Sequence, residues 1–131
     1  MSQTIATHAH GYVESLRLAG HPAQRVATNQ RQLDYFVLWA SLNEILLINQ
    51  LSGDLAERYY DHLLHENDLL KDRPVGPRVR RERLSKLRRL LAHLHAGGIT
   101  AVDLSSSVPI VDPHGTRTQK PAPTTASLSP C

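Results

Sequence analysis

The stretch Phe36-Val-Leu-Trp-Ala-Ser-Leu-Asn-Glu-Ile-Leu-Leu-Ile48 is the most apolar run in the 131-residue chain. A membrane span needs about 20 nearly uncharged residues. This run is shorter and contains Ser41, Asn43 and Glu44. Set in its flanks, it predicts a helix from about Gln30 to Asn49 that is apolar nearly all round. A helix without a wet face belongs at the centre of a bundle or in a subunit interface. Phe36, Trp39, Leu42 and Leu46 are therefore the expected core, and residues 30–50 the expected contact surface of any homo-oligomer.

Working outward, Ile5, Ala9, Tyr12, Val13 and Leu16 fall on one face of a first helix. Gly20 closes it as a C-terminal cap, with Pro22 just beyond. Residues 21–29 read as a connection, because Asn29 and Gln32 resemble a capping box. On the other side, Ser52 caps a third helix that runs to about Asp72, where Pro74, Gly76 and Pro77 interrupt it. Leu55, Tyr59, Leu63, Leu64 and Leu70 supply its buried side. A fourth helix covers Arg78 to Ala96, carries Leu84, Leu87, Leu90, Leu91 and Leu94 as one stripe, and stops at Gly97-Gly98. Residues 99–111 hold two β-prone runs that suggest a short hairpin or extended chain. The prediction is an all-α, four-helix domain over 1–104. A flexible Ser/Thr/Pro-rich tail is expected over 105–131, where little apolar surface is left to offset the entropy of ordering.

Composition narrows the class. The single cysteine, Cys131, cannot form an internal disulfide, and the N-terminus has neither a basic start nor an apolar run. A cytoplasmic protein without a membrane anchor is expected. The net charge of +3 is unevenly placed. Residues 1–70 carry four Arg against eight Asp and Glu, whereas residues 71–131 carry eleven Lys and Arg against four acids.

Nine of those cations lie between Lys71 and Arg89, seven of them Arg. The candidate binding residues are Arg78, Arg80, Arg81, Arg83, Lys86, Arg88 and Arg89. Cations in the first turns of a helix oppose its dipole, at about 0.3–1 kcal/mol each at low salt. A helix selected only for solubility places Asp or Glu there. An anion at that end meets free N–H groups, the dipole and the arginine forks together. A polyanion is the expected partner, nucleic acid first and an acidic protein surface second. No aromatic residue follows Tyr60, which argues against a membrane partner and against base stacking on this helix.

Two family resemblances attach to the same helix. Leu84-Ser-Lys-Leu-Arg-Arg-Leu-Leu-Ala-His-Leu-His-Ala-Gly-Gly-Ile-Thr100 is similar to the recognition helix and first wing strand of winged-helix regulators, which implies DNA binding. Arg88-Arg-Leu-Leu-Ala-His93 resembles the Arg–His motif of helical HEPN ribonucleases. That resemblance implies His93 as acid–base and Arg88 as stabiliser of phosphorane charge, although Arg89 stands where that family has a small polar residue.

Other polar groups read as structural. His62, His65, His93 and His95, with Asp61 and Glu66, match no known metal-ligand spacing and are expected to face solvent. Glu44 is expected to be paired or to point outward, and no cofactor motif stands out. The first expectation is a nucleic-acid-associated regulator or accessory subunit. The second is an adaptor or inhibitor docking an acidic protein through the same arginines, and the third is the HEPN-like ribonuclease.

Overall fold

The computed structural model describes residues 3–112, which form four helices. They are α1 (Ile5–Leu18), α2 (Ala23–Leu42), α3 (Gly53–His65) and α4 (Pro77–Ala96), with single 3₁₀ turns at Ile48–Gln50 and Leu104–Ser107. The all-α reading holds. Helices α1 and α4 both pack on α2, and α3 packs on α4 and the second 3₁₀ turn. No helix among the described residues is long and apolar enough to cross a membrane.

The boundaries of α2 differ from expectation at both ends. Asn29 and Gln32 do not cap it but lie inside it, both buried, and Asn29 Nδ2 donates to the Arg25 carbonyl at 2.9 Å. The helix starts at Ala23, directly after Pro22, which occupies the cap position with an extended backbone and no side-chain cap. At the other end Glu44 adopts a left-handed conformation, φ 62°. Ile45 N–H reaches the Ala40 carbonyl at 2.8 Å and Glu44 N–H reaches Ser41 at 3.0 Å, closing a Schellman motif. Ile45 turns into the core, and the chain past it leaves the helix. Leu42 and Leu46 are consequently 63% and 52% exposed, not core. Gln50 secures the reversal: its Oε1 accepts from Leu46 and Leu47 N–H, and its Nε2 donates to the Glu44 carbonyl. Residues 46–48 then pair with the N-terminal strand-like stretch, Ile5 N–H to Leu46 and Ile48 N–H to Gln3.

The third helix is shorter than expected. Ser52 Oγ caps it by accepting from Leu55 N–H, as its sequence position suggests, but it ends at His65 rather than near Asp72. Leu55, Tyr59 and Leu63 are buried, whereas Leu64 and Leu70 are exposed. Asn67 and Pro74 pair across an intervening loop, with Asp72 at φ 51° at its tip. The stripe on α4 is buried as its spacing predicts. Residues 99–111 form no hairpin. They run through turns and the 3₁₀ segment, and Val108 and Val111 are buried, so the packed chain passes the expected boundary at Leu104. The remainder of the expected tail, from 113 through Cys131, lies outside the described residues.

At the centre, Tyr59 meets Phe36 edge-on at 5.0 Å and Trp39 at 5.0 Å between ring centroids. Beside this aromatic cluster lies a buried polar one. Arg83 donates from Nη2 to Asp68 Oδ2 at 3.0 Å and from Nε to Gln32 Oε1 at 3.1 Å. Its guanidinium carbon sits 3.5 Å from the centroid of the Tyr35 ring. The Tyr35 hydroxyl accepts from Leu69 N–H at 3.0 Å and shares a hydrogen bond with His62 Nε2 at 2.8 Å. His62 Nδ1 lies 2.7 Å from Glu66. His62 is thus buried, contrary to the expectation of a solvent-facing ring.

Three measurements check this core. Phe36→Ala or Trp39→Ala should destabilise by about 3–5 kcal/mol in chemical denaturation, the usual cost of truncating a buried aromatic. Ending the chain after Leu104 should cost about 3 kcal/mol or more, since each fully buried valine contributes about 1.5–3 kcal/mol; an unchanged midpoint would return the boundary to Leu104. Asp68→Asn should cost about 3–5 kcal/mol by leaving Arg83 buried without its anion. Burial pushes the Asp68 carboxyl up, but the Leu70 N–H and the Arg83 guanidinium together hold it below the usual carboxylate range. The stability it contributes is therefore complete above about pH 4 and is lost as pH falls through its lowered folded value. The acid limb of the stability curve should be shallower in Asp68→Asn than in the wild type.

Candidate nucleic-acid interface

The seven basic candidates do not form one surface. Arg80 and Arg83 precede Leu84 and Leu87 by four residues, so they lie on the same inward stripe of α4. Both are buried, at 9% and 6% exposure. Arg80 Nη1 donates to the Val75 carbonyl at 3.4 Å, and Arg83 is engaged with Asp68 and Gln32. These two belong to the core and are removed from the binding set.

The other five face outward or sideways. Arg78, Arg81 and Arg89 are exposed, and Lys86 and Arg88 are half-buried. Arg78, Arg81, Ser85 and Arg88 follow one another at three- and four-residue steps, a stripe along α4. The segment at 109–111 lies alongside it, because Val108 and Val111 are anchored in the core. A groove of about 480 Å³ results, lined on α4 by this stripe with Glu82 and Lys86, and opposite by Ile110 and Val111. Arg88 Nη2 donates across it to the Pro109 carbonyl at 3.1 Å, while Arg88 Nε is buried and makes no hydrogen bond among the described residues.

The electrostatics of this face are those of crowded cations. No ion pair joins Arg78, Arg81, Lys86 or Arg89 to a carboxylate among the described residues. Burial lowers the Lys86 ammonium pKa, and the charges of Arg89 and Arg25 lower it further against the pull of Glu82. Burial, then Arg89, does the same to Arg88. Arg25, at the start of α2, extends the positive face beyond α4. The composition of the basic segment gave no hint of it, because it lies far off in sequence.

The Arg88–His93 pair is not brought onto one side of α4. The two stand five positions apart, about 140° around a helix. Arg88 leans toward Pro109, whereas the His93 ring stacks obliquely on Tyr12 of α1, at 4.9 Å between centroids. The histidines considered as metal ligands are likewise dispersed. His62 is held by Tyr35 and Glu66, and His95 Nδ1 lies 3.2 Å from the Thr100 carbonyl. No group of three or more His, Cys, Asp or Glu among the described residues is placed to hold a metal ion. A separate cavity of about 550 Å³ opens over Trp39 between Arg58, Asp61, His65 and Glu66. Asn43 and Arg58 bridge its edge at 3.4 Å.

Comparison of the chain with protein-family models, with curated proteins and with solved structures found no match.

Proposed function

We propose that this chain is a nucleic-acid-associated helical protein, a small regulator or an accessory subunit of a nucleoprotein complex, that holds phosphates on the outer face of α4. The observation that carries this reading is the set Arg78, Arg81, Lys86 and Arg89, cations crowded on one side of a helix, none in an ion pair among the described residues and with Glu82 alone pulling on Lys86. Such an arrangement is electrostatically unfavourable in the free protein and is relieved by an anion. From Arg78 to Arg89 the helix rises about 16 Å, a length that spans several phosphates of a duplex, whose charges are spaced at about 1.7 Å along the axis. With no aromatic side chain on α4, contacts to the backbone, which position a protein without reading sequence, fit better than stacking.

The test is a salt-titrated binding assay against duplex DNA, RNA and heparin, comparing wild type with Arg78→Gln/Arg81→Gln/Lys86→Gln/Arg89→Gln. Binding should be lost or strongly weakened, and each lost phosphate contact should lower the log–log salt slope on duplex DNA by about 0.9. The variant's thermal midpoint should be unchanged or slightly higher, because cation repulsion is relieved. If the variant binds as the wild type does, or if neither binds at low salt, the reading fails. In the second case an acidic protein surface becomes the partner to test for the same side chains.

A further inference from the structure

We infer that the groove between α4 and the 110–111 segment receives the terminal phosphate of a nucleic-acid end, rather than a run of its backbone; this rests on α4 being a nucleic-acid face. The first argument is enclosure. The exposed cations along α4 alone would make an open stripe, but Ile110 and Val111 give the groove a second wall, and its volume of about 480 Å³ is that of a small-ligand site. A site of that size suits one end group better than a continuous backbone.

The second argument is charge. Arg78, Arg81, Lys86 and Arg88 face a single acid, Glu82, in the groove. An internal phosphodiester brings one negative charge. A terminal phosphomonoester brings about 1.5–2 at neutral pH, and three strongly accepting oxygens. The forked guanidinium groups and the Ser85 hydroxyl are donors suited to those oxygens. The third is preorganisation. Arg88 is held in place across the groove by the Pro109 carbonyl. Ile110 is 45% exposed beside these cations, an apolar surface for the sugar carbons of the terminal nucleotide.

The experiment measures, at fixed low salt, binding of the full chain to a short blunt duplex with phosphorylated ends and to the same duplex with hydroxyl ends. The phosphorylated duplex should bind about tenfold more tightly or better, the worth of one net charge-assisted hydrogen bond. Arg78→Gln/Ser85→Ala should bring that ratio close to one. Arg89→Gln, outside the groove, should weaken both duplexes equally and leave the ratio intact. Equal binding of both duplexes by the wild type, with the usual salt dependence, overturns the groove assignment while leaving the wider α4 face as the binding surface. Loss of the ratio in Arg89→Gln, or its survival in Arg78→Gln/Ser85→Ala, also overturns it. Absence of binding to either duplex overturns both readings. Adenosine monophosphate competing as strongly as the phosphorylated duplex would assign the groove to free nucleotides and overturn the assignment to strand ends.

Discussion

Arg83 divides its guanidinium between Asp68 and Gln32 and lies against the face of Tyr35, so one cation joins α4, α2 and the loop between α3 and α4. The rest of the molecule depends on that junction. Asp68 organises its own loop, accepting from Leu70 N–H through its side chain and from Asp72 N–H through its carbonyl. Tyr35 takes Leu69 N–H and engages His62, carrying the network to α3. A buried ion pair of this kind is weak evidence for net stability, since desolvation offsets much of the attraction. What it adds is a specific tie, since in this register Arg83 reaches both partners at once. The outward arginines inherit their position from it.

The fold was legible in the sequence where apolar spacing and glycine agreed, and illegible where they did not. Helices α1 and α4 both end in Schellman motifs whose left-handed residue is glycine, Gly20 at φ 89° and Gly98 at φ 76°. Both ends were readable from that glycine. Helix α2 ends in the same motif with Glu44 in the left-handed place, a conformation that costs a non-glycine residue about 1–3 kcal/mol. Nothing local announces it. The apolar run Ile45–Ile48 continues past the stop and mimics more helix, which is why Leu42 and Leu46 were misplaced. The end of α3 was missed for the opposite reason: Leu64 and Leu70 have core chemistry but sit on the outside.

The candidate site was half legible. Cation density located α4, but density does not distinguish an outward arginine from an inward one. The spacing does, since Arg80 and Arg83 stand four residues before Leu84 and Leu87, and a strict reading of the leucine stripe extends it backward to include them. The partner that makes an inward arginine tolerable, Asp68, lies in a loop whose course depends on tertiary contacts, and no periodicity reveals it. The groove wall at 109–111 was hidden likewise, because its two anchoring valines lie in a stretch whose composition reads as tail.

The buried network also bears on how this protein can be watched. Trp39 is the only tryptophan of the chain, and its ring lies 5.0 Å from Tyr59 and 6.0 Å from His62. Burial, more than the opposing pull of Arg83, holds the Tyr59 hydroxyl proton to a pH well above that of a free tyrosine. In the folded state, then, Trp39 has an un-ionised phenol beside it in alkali that would ionise a tyrosine in the unfolded chain. Tyrosinate accepts excitation energy from indole and quenches it. The share of tyrosinate absorbance that belongs to Tyr59 should thus appear together with the loss of indole fluorescence when the core opens in alkali, giving a built-in signal for loosening of the packing beside Trp39.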